Sequence, residues 1–265
     1  VFHFGVSGVG WATFLAQGIA GILAVITLLR RVAKLPTGHG KVMLYSKSML
    51  RRIAKIAVPS ILQQSFVSVG NIFIQSLVNS FGSAVIAGYS AAIKLNTFTI
   101  TSFSTLGNAL SSFSAQNIGA AKIDRVRKGF RAGTMLAWII AVPFFVLFFF
   151  FGNEMLRIFM ENPTGGAMKA GMAFLKIVSP FYFIISLKLL ADGLLRGSSA
   201  MIGFMVSTFT DLILRVILAY VFAGLFGSTG IWMSWPVGWS ISAIISLLFY
   251  RYTWKQLSVE RRLLK

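Results

Sequence analysis

Apolar runs of about 20 residues, the length a helix needs to cross a hydrocarbon core, recur along this chain at roughly 5–29, 56–80, 84–111, 130–152, 171–193, 200–226 and 229–250. Runs of this kind satisfy their backbone hydrogen bonds internally only as helices, and the alternating pattern of a membrane barrel is absent. The first run is too long and too rich in glycine for a signal-peptide core, and no basic residue precedes it, so it reads as a true span. Composition agrees, since 56% of the 265 residues are apolar and only 12% are charged, too few to cover a water-soluble surface. The predicted fold class is all-α, a polytopic integral membrane helical bundle of about seven transmembrane helices.

A formal net charge of +19 raises the alternative of a nucleic-acid binder, but the positions of the cations argue against it. With the first connection placed inside, the later connections alternate, and nineteen Lys and Arg residues fall on one side. They sit between Arg30 and Lys55, between Lys122 and Arg131, at Arg196, and between Arg251 and Lys265. Only Arg157 and Lys169 fall on the other side. The positive-inside rule then predicts a multi-pass protein of the cell membrane, with its N-terminal end outside and its C-terminus cytoplasmic. Cations scattered over short loops without interleaved aromatics do not form a track for nucleic acid, so no nucleic-acid partner is expected. The same loops attract anionic headgroups, which makes membrane lipids expected partners.

Cysteine is absent, and the two histidines, His3 and His39, lie far apart, which leaves no thiol chemistry and no metal-ligand cluster. No Walker-type phosphate loop, GxSxG elbow or HExxH pair occurs. The chain reads as a non-enzyme with neither cofactor nor metal.

The first and last runs resemble each other. Gly5-Val6-Ser7-Gly8-Val9 lines up with Gly227-Ser228-Thr229-Gly230-Ile231, and each opens a Trp-containing helix of small residues that runs to a basic end. Equivalent helices separated by an even number of spans imply parallel repeats. The chain then reads as the last helix of one half followed by a complete second half, with the basic stretch 30–55 as the linker between them. A first residue of Val1 in place of Met agrees with a fragment truncated at its N-terminus.

Several segments together resemble the MATE (multidrug and toxic compound extrusion) transporters. SAQNIGAAKIDRVRKG, within 111–133, looks like the segment after the second helix of each lobe, and LADGLLRGSSA at 190–200 is similar to that family's LRGxG turn. IAVPSILQQSFVSVGNIFIQSLVNSFGS at 56–83 resembles a lobe's first helix with its early proline, and DLILRVILAYVFAGLFGSTGIWMSWPVGW at 211–239 resembles the last two helices. The resemblance implies residues 1–29 as the last helix of an N-terminal lobe, 30–55 as a cytoplasmic inter-lobe linker, 56–250 as a six-helix C-terminal lobe and 251–265 as a cytoplasmic tail. It also implies secondary active export of small cationic or amphiphilic drugs against H+ or Na+ by rocking of two lobes, so that this chain needs the missing N-terminal lobe. Carboxylates of some Na+-coupled members align with Val67 and Ile185, both apolar here, and the aspartate of proton-coupled members belongs to a helix outside this chain. The coupling ion stays open between H+ and Na+.

Ionisable side chains inside spans are expensive to bury and are functional candidates for that reason. Lys94, Lys188 and Asp192 are candidates for substrate binding or coupling. Gln64, Asn71 and Gln75, with Asn79, stand at separations that share one helical face, an arrangement expected to look into the bundle or a watery cavity. Asp211 and Arg215, at i and i+4, read as a structural ion pair. Pro59 and Pro180 are hinge candidates, because proline removes an intrahelical donor. A lipid-linked oligosaccharide flippase of the same superfamily and a seven-helix receptor are the competing readings. The flippase reading expects a cavity rich in arginine, and among residues inside the spans only Arg215 qualifies.

Overall fold

The computed structural model describes residues 5–34, 45–160 and 164–263, and all regular structure among them is helical. Val1, His3, His39 and part of the expected linker lie outside the described residues. The chain divides into two compact units, Val1–Ser48 and Met49–Lys265. The first holds α1 (Gly5–Val32), an apolar helix with exposed Trp11, Phe14, Ile22 and Leu28. The second contains α2 (Lys47–Asn79, from its third residue), α3 (Ser83–Gly119), α4 (Ile123–Phe150), the short α5 (Gly152–Arg157), α6 (Gly165–Val178), α7 (Tyr182–Gly197), α8 (Met201–Phe226) and α9 (Ser228–Leu263).

Six helical segments are long and apolar enough to cross a membrane: α1, α2, α4, α6 with α7, α8 and α9. The run expected at 84–111 also forms a helix, α3, but its Ser, Thr and Asn content keeps it below that level of apolarity. The reason is its position. It packs against α4, α6 and α7, and residues such as Asn96, Thr99, Phe103 and Ser114 are buried there. Helices outlast the apolar runs at several ends: α2 starts at Lys47 inside the stretch expected as linker, and α9 continues to Leu263 through the expected tail. Lys, Arg, Gln and Leu are good helix formers, so leaving an apolar run does not oblige the chain to leave the helix.

The run expected as one helix at 171–193 is two. Ser179–Phe181 forms a single 3-10 turn between α6 and α7, with Pro180 inside it. Proline lacks an N–H to donate back to the preceding turn, which explains the break. By contrast Pro59, Pro143 and Pro236 lie within uninterrupted helices.

Small residues set the closest approaches. A Cβ on Gly171 would lie 3.0 Å from the Gly88 carbonyl, one on Gly193 would collide with the Gly107 carbonyl, and one on Gly197 with that of Ser111. Both sets of numbers rise together, so α3 runs parallel to the broken α6–α7 helix along its length. Glycine permits this contact because, between apolar helices, attraction comes from close packing of backbones. Helices α8 and α9 form an antiparallel hairpin around Gly227, whose φ of 63° favours glycine. The largest apolar cluster lies where α3, α6, α7 and α9 meet. There Trp232 is fully buried and stacks on Tyr89 at 5.0 Å, with Phe174 edge-on to both rings.

The turns after α3 and α7 share one design. Lys122 N donates to Asn117 O and Ala121 N to Ile118 O; in the same pattern Ala200 N donates to Leu195 O and Ser199 N to Arg196 O. Each satisfies the last helical carbonyls through one left-handed residue, Ala121 at φ 55° and Ser199 at φ 60°. These are the turns of QNIGAAK and LRGSSA, so the two sequence signatures mark one backbone feature used twice.

Candidate functional site

Two ion pairs of identical spacing stand on neighbouring helices, and their surroundings differ. On α7, Lys188 Nζ lies 2.8 Å from Asp192 Oδ2, with both residues buried at 4% and 3% exposure. The other carboxylate oxygen, Asp192 Oδ1, accepts from Ser246 Oγ of α9, and Ser207 Oγ of α8 lies 3.4 Å away. Ser207 Oγ also meets Ser246 Oγ and the Ser242 carbonyl at 3.2 Å. This carboxylate is fully engaged, and it ties α7, α8 and α9 together. Although Asp192 stands beside the Leu-Arg-Gly turn, the serines of α8 and α9 enclose it.

The pair on α8 is loose. Arg215 Nη2 is 3.9 Å from Asp211 Oδ2, beyond hydrogen-bonding distance, although both residues are buried. The guanidinium lies over the indole of Trp235, 4.6 Å from the ring centroid, where the negative face of the ring attracts it. Arg215 Nε, Asp211 Oδ1, Thr208 Oγ1 and Trp235 Nε1 are buried and have no hydrogen-bond partner among the described residues. Asp211 Oδ1 is turned against α9, where a Cβ on Gly238 would sit 2.8 Å from it.

Within the second unit, α2, α3, α7, α8 and α9 line a partly open cavity of about 510 Å3. Gln64, Asn71 and Gln75 of α2 line it, as the shared helical face predicts, and Gln75 Nε2 donates to Asn79 Oδ1 at 2.9 Å. Lys188, Asp211 and Arg215 line it as well, and Asp192 does not. Lys94 is exposed on α3 and lies outside the cavity, its Nζ 5.9 Å from the Phe159 ring centroid. Val67 and Ile185 also face the cavity and make that part of the wall apolar. Pro180 breaks the helix that carries Ile185, Lys188 and Asp192, whereas Pro59 lies in α2 short of the lining residues.

Sequence reasoning did not single out Tyr89, Trp235 and Trp239 as wall residues, whereas Asn96 belongs to the ladder of polar side chains on the second and third spans. Asn96 accepts from Tyr182 Oη at 3.2 Å, and Trp235 meets Trp239 edge-on at 5.6 Å. Trp235 and Trp239 stand at i and i+4, so their spacing in WMSWPVGW puts them on one face of α9. Arg196, in the last turn of α7, donates from Nη2 to Asn108 Oδ1 at 2.7 Å and has no place in this cavity. No cluster of His, Cys, Asp or Glu able to hold a metal ion occurs among the described residues.

The chain is similar to the "Probable multidrug resistance protein YpnP" of Bacillus subtilis, 28% identical over 264 residues that cover 98% of this chain and 58% of the relative. It is also similar to the "Multidrug export protein MepA" of Staphylococcus saprophyticus, at 22% identity, covering 98% of this chain and 57% of that one. A solved outward-facing structure of a multidrug resistance MATE family transporter shares the fold with a TM-score of 0.84 at 18% identity, over 96% of this chain and 57% of that one. The chain thus spans little more than half the length of the curated relatives it matches. The family model MatE matches residues 59–221, from the proline of α2 to the C-terminal half of α8 and including both signature turns, and with this match the chain belongs to the MatE family.

Proposed function

We propose that this chain supplies the C-terminal lobe, at 56–250, of a secondary active multidrug exporter, preceded by the last helix of an N-terminal lobe at 1–29 and a linker at 30–55. The observation that carries the reading is the cavity of about 510 Å3 inside the lobe, walled by aromatic and aliphatic side chains with a few amides and one loose ion pair. Such a wall suits amphiphilic ligands of varied shape, since apolar surface supplies affinity and sparse polar groups supply orientation. Export would proceed by rocking of this lobe against its counterpart in the cell membrane, driven by H+ or Na+. Asp192 is the candidate coupling residue, linked to the cavity through Lys188. Pro180 is the candidate hinge, because the helix is already interrupted there. The seven-helix receptor reading falls with the family assignment.

The test is ethidium efflux in a bacterial host lacking its own drug pumps. Expression of the complete coding region, including whatever precedes Val1, lowers steady-state ethidium accumulation, and dissipating the ion gradients abolishes the effect. Unchanged accumulation of ethidium and of a panel of other amphiphiles, with the protein present in the membrane, overturns the reading.

A further inference from the structure

A second concave surface shares no residue with the cavity described above. It is an open groove of about 620 Å3, bordered by Arg131, Met135, Trp138, Ile139 and Val142 of α4 and by Phe183 of α7. Positions 131, 135, 138 and 142 step by four, three and four, so they form one stripe along α4. Met135, Trp138, Ile139 and Val142 are all exposed. The polar atoms of the apolar part are already engaged: Trp138 Nε1 donates to the Phe183 carbonyl at 3.3 Å, and Thr134 Oγ1 to the Phe130 carbonyl at 2.9 Å. The wall thus asks for an apolar occupant everywhere except at Arg131.

Arg131 marks one end of the groove and a sharp change in the chain. Lys122, Arg125, Arg127, Lys128 and Arg131 precede a stretch, 132–153, that carries no charged side chain. The exposed guanidinium therefore stands where the hydrocarbon core begins. Asp124 is the one acid among these cations; it lies three and four residues before Arg127 and Lys128, within reach of either, but two turns from Arg131. Arg131 forms no ion pair among the described residues. From Arg131 to Val142 the stripe is about 17 Å long at a rise of ~1.5 Å per residue. One leaflet contributes half of a hydrocarbon core of about 30 Å, so the groove matches the depth of a single acyl chain.

We propose that this groove is a binding site for one anionic phospholipid, with its phosphate on Arg131 and one acyl chain laid along Met135, Trp138, Ile139 and Val142 against Phe183. Any phospholipid brings a phosphate to Arg131. A zwitterionic headgroup also brings an ammonium among Arg127, Lys128 and Arg131, whereas an anionic one does not, and that difference sets the preference. The site is independent of the exporter reading.

The experiment uses phosphatidylglycerol and phosphatidylcholine that carry the same photoreactive diazirine at the end of one acyl chain. Each is added to the protein expressed from its complete coding region and purified in dodecyl maltoside, and the labelled residues are located by mass spectrometry. Phosphatidylglycerol is expected to label 135–142 at least about tenfold more than phosphatidylcholine at equal concentration, given the surplus of basic residues. Arg131→Gln is expected to lower that labelling about fivefold, the effect of one basic residue near a membrane surface, and Lys169→Gln to leave it unchanged. Unlabelled phosphatidylglycerol competes, and glycerol 3-phosphate does not.

Equal labelling by the two lipids overturns the preference for an anionic headgroup, and label spread evenly over the exposed faces of other helices overturns the groove as a site. Undiminished labelling in Arg131→Gln, with an unchanged unfolding midpoint, overturns the phosphate seat. Competition by glycerol 3-phosphate overturns the acyl-chain groove in favour of a headgroup site alone. Absence of label from α4 shows another helix over the groove and overturns the proposal as a whole. None of these readouts involves transport, so failure of ethidium efflux leaves the lipid site standing.

Discussion

The two i,i+4 pairs show how one spacing takes two roles. Lys188–Asp192 is closed, because Ser207 and Ser246 supply the hydrogen bonds that a buried carboxylate requires beyond its cation. Removing one partner strands the other charge. Asp192→Ala is therefore expected to lower stability by about 3 kcal/mol, a cost of the size found when a buried pair is broken, measured by thermal unfolding in detergent. Lys188→Met combined with Asp192→Leu is expected to recover most of that loss, since neither charge is then left unpaired. Recovery of none of it counts against the account of Asp192 as a stabilising centre. The candidates at 188, 192, 211 and 215 were legible in the sequence as ionisable groups inside apolar runs. Their division into a closed pair, of which only Lys188 reaches the cavity, and a loose pair that lines it was not, because it depends on which residues α8 and α9 bring to each.

Among the helices, α3 is the one whose sequence understates its importance. Its polar side chains give it the weakest claim to be a membrane span, yet it packs along the whole broken helix α6–α7. Hydropathy records what a helix must tolerate as its surroundings, and a helix shielded by neighbours can carry Asn96, Thr99 and Ser114 at little cost. The crossing with α7 depends on Gly107, Gly193 and Gly197, where any Cβ would enter backbone space. Gly193→Ala is expected to force the helices apart and lower stability by about 2 kcal/mol, the middle of the range for overpacking, again by thermal unfolding. An unchanged unfolding midpoint would show that the crossing can open without loss. The 3-10 turn at Ser179–Phe181 is an element the apolar pattern concealed, since Pro180 sits in the middle of one continuous apolar run. The proline itself was the visible signal, but Pro59, Pro143 and Pro236 carry the same signal within unbroken helices.

For the molecule as a whole, the distribution of Lys and Arg makes a prediction that the absence of cysteine renders easy to check. Lys122 and Lys169 are both exposed, the first in the turn before α4 and the second in the first turns of α6. Under the proposed orientation, Lys169→Cys reacts with a membrane-impermeant maleimide added to intact cells, and Lys122→Cys reacts only after the membrane is permeabilised. Labelling of Lys122→Cys in intact cells would reverse the orientation. The helical, membrane-spanning character of this protein was readable from the chain alone, because it follows from local quantities: the length of an apolar run and the need of each backbone amide for a partner. The family signature was readable too, since the turns at Ala121 and Ser199 are short and continuous in sequence. The cavity and the inequality of its ion pairs came only with the packed bundle. Gly238, Ser207, Ser246 and Trp235 lie far along the chain from the charges they surround, and the rotation of each helix about its own axis is set by what it packs against.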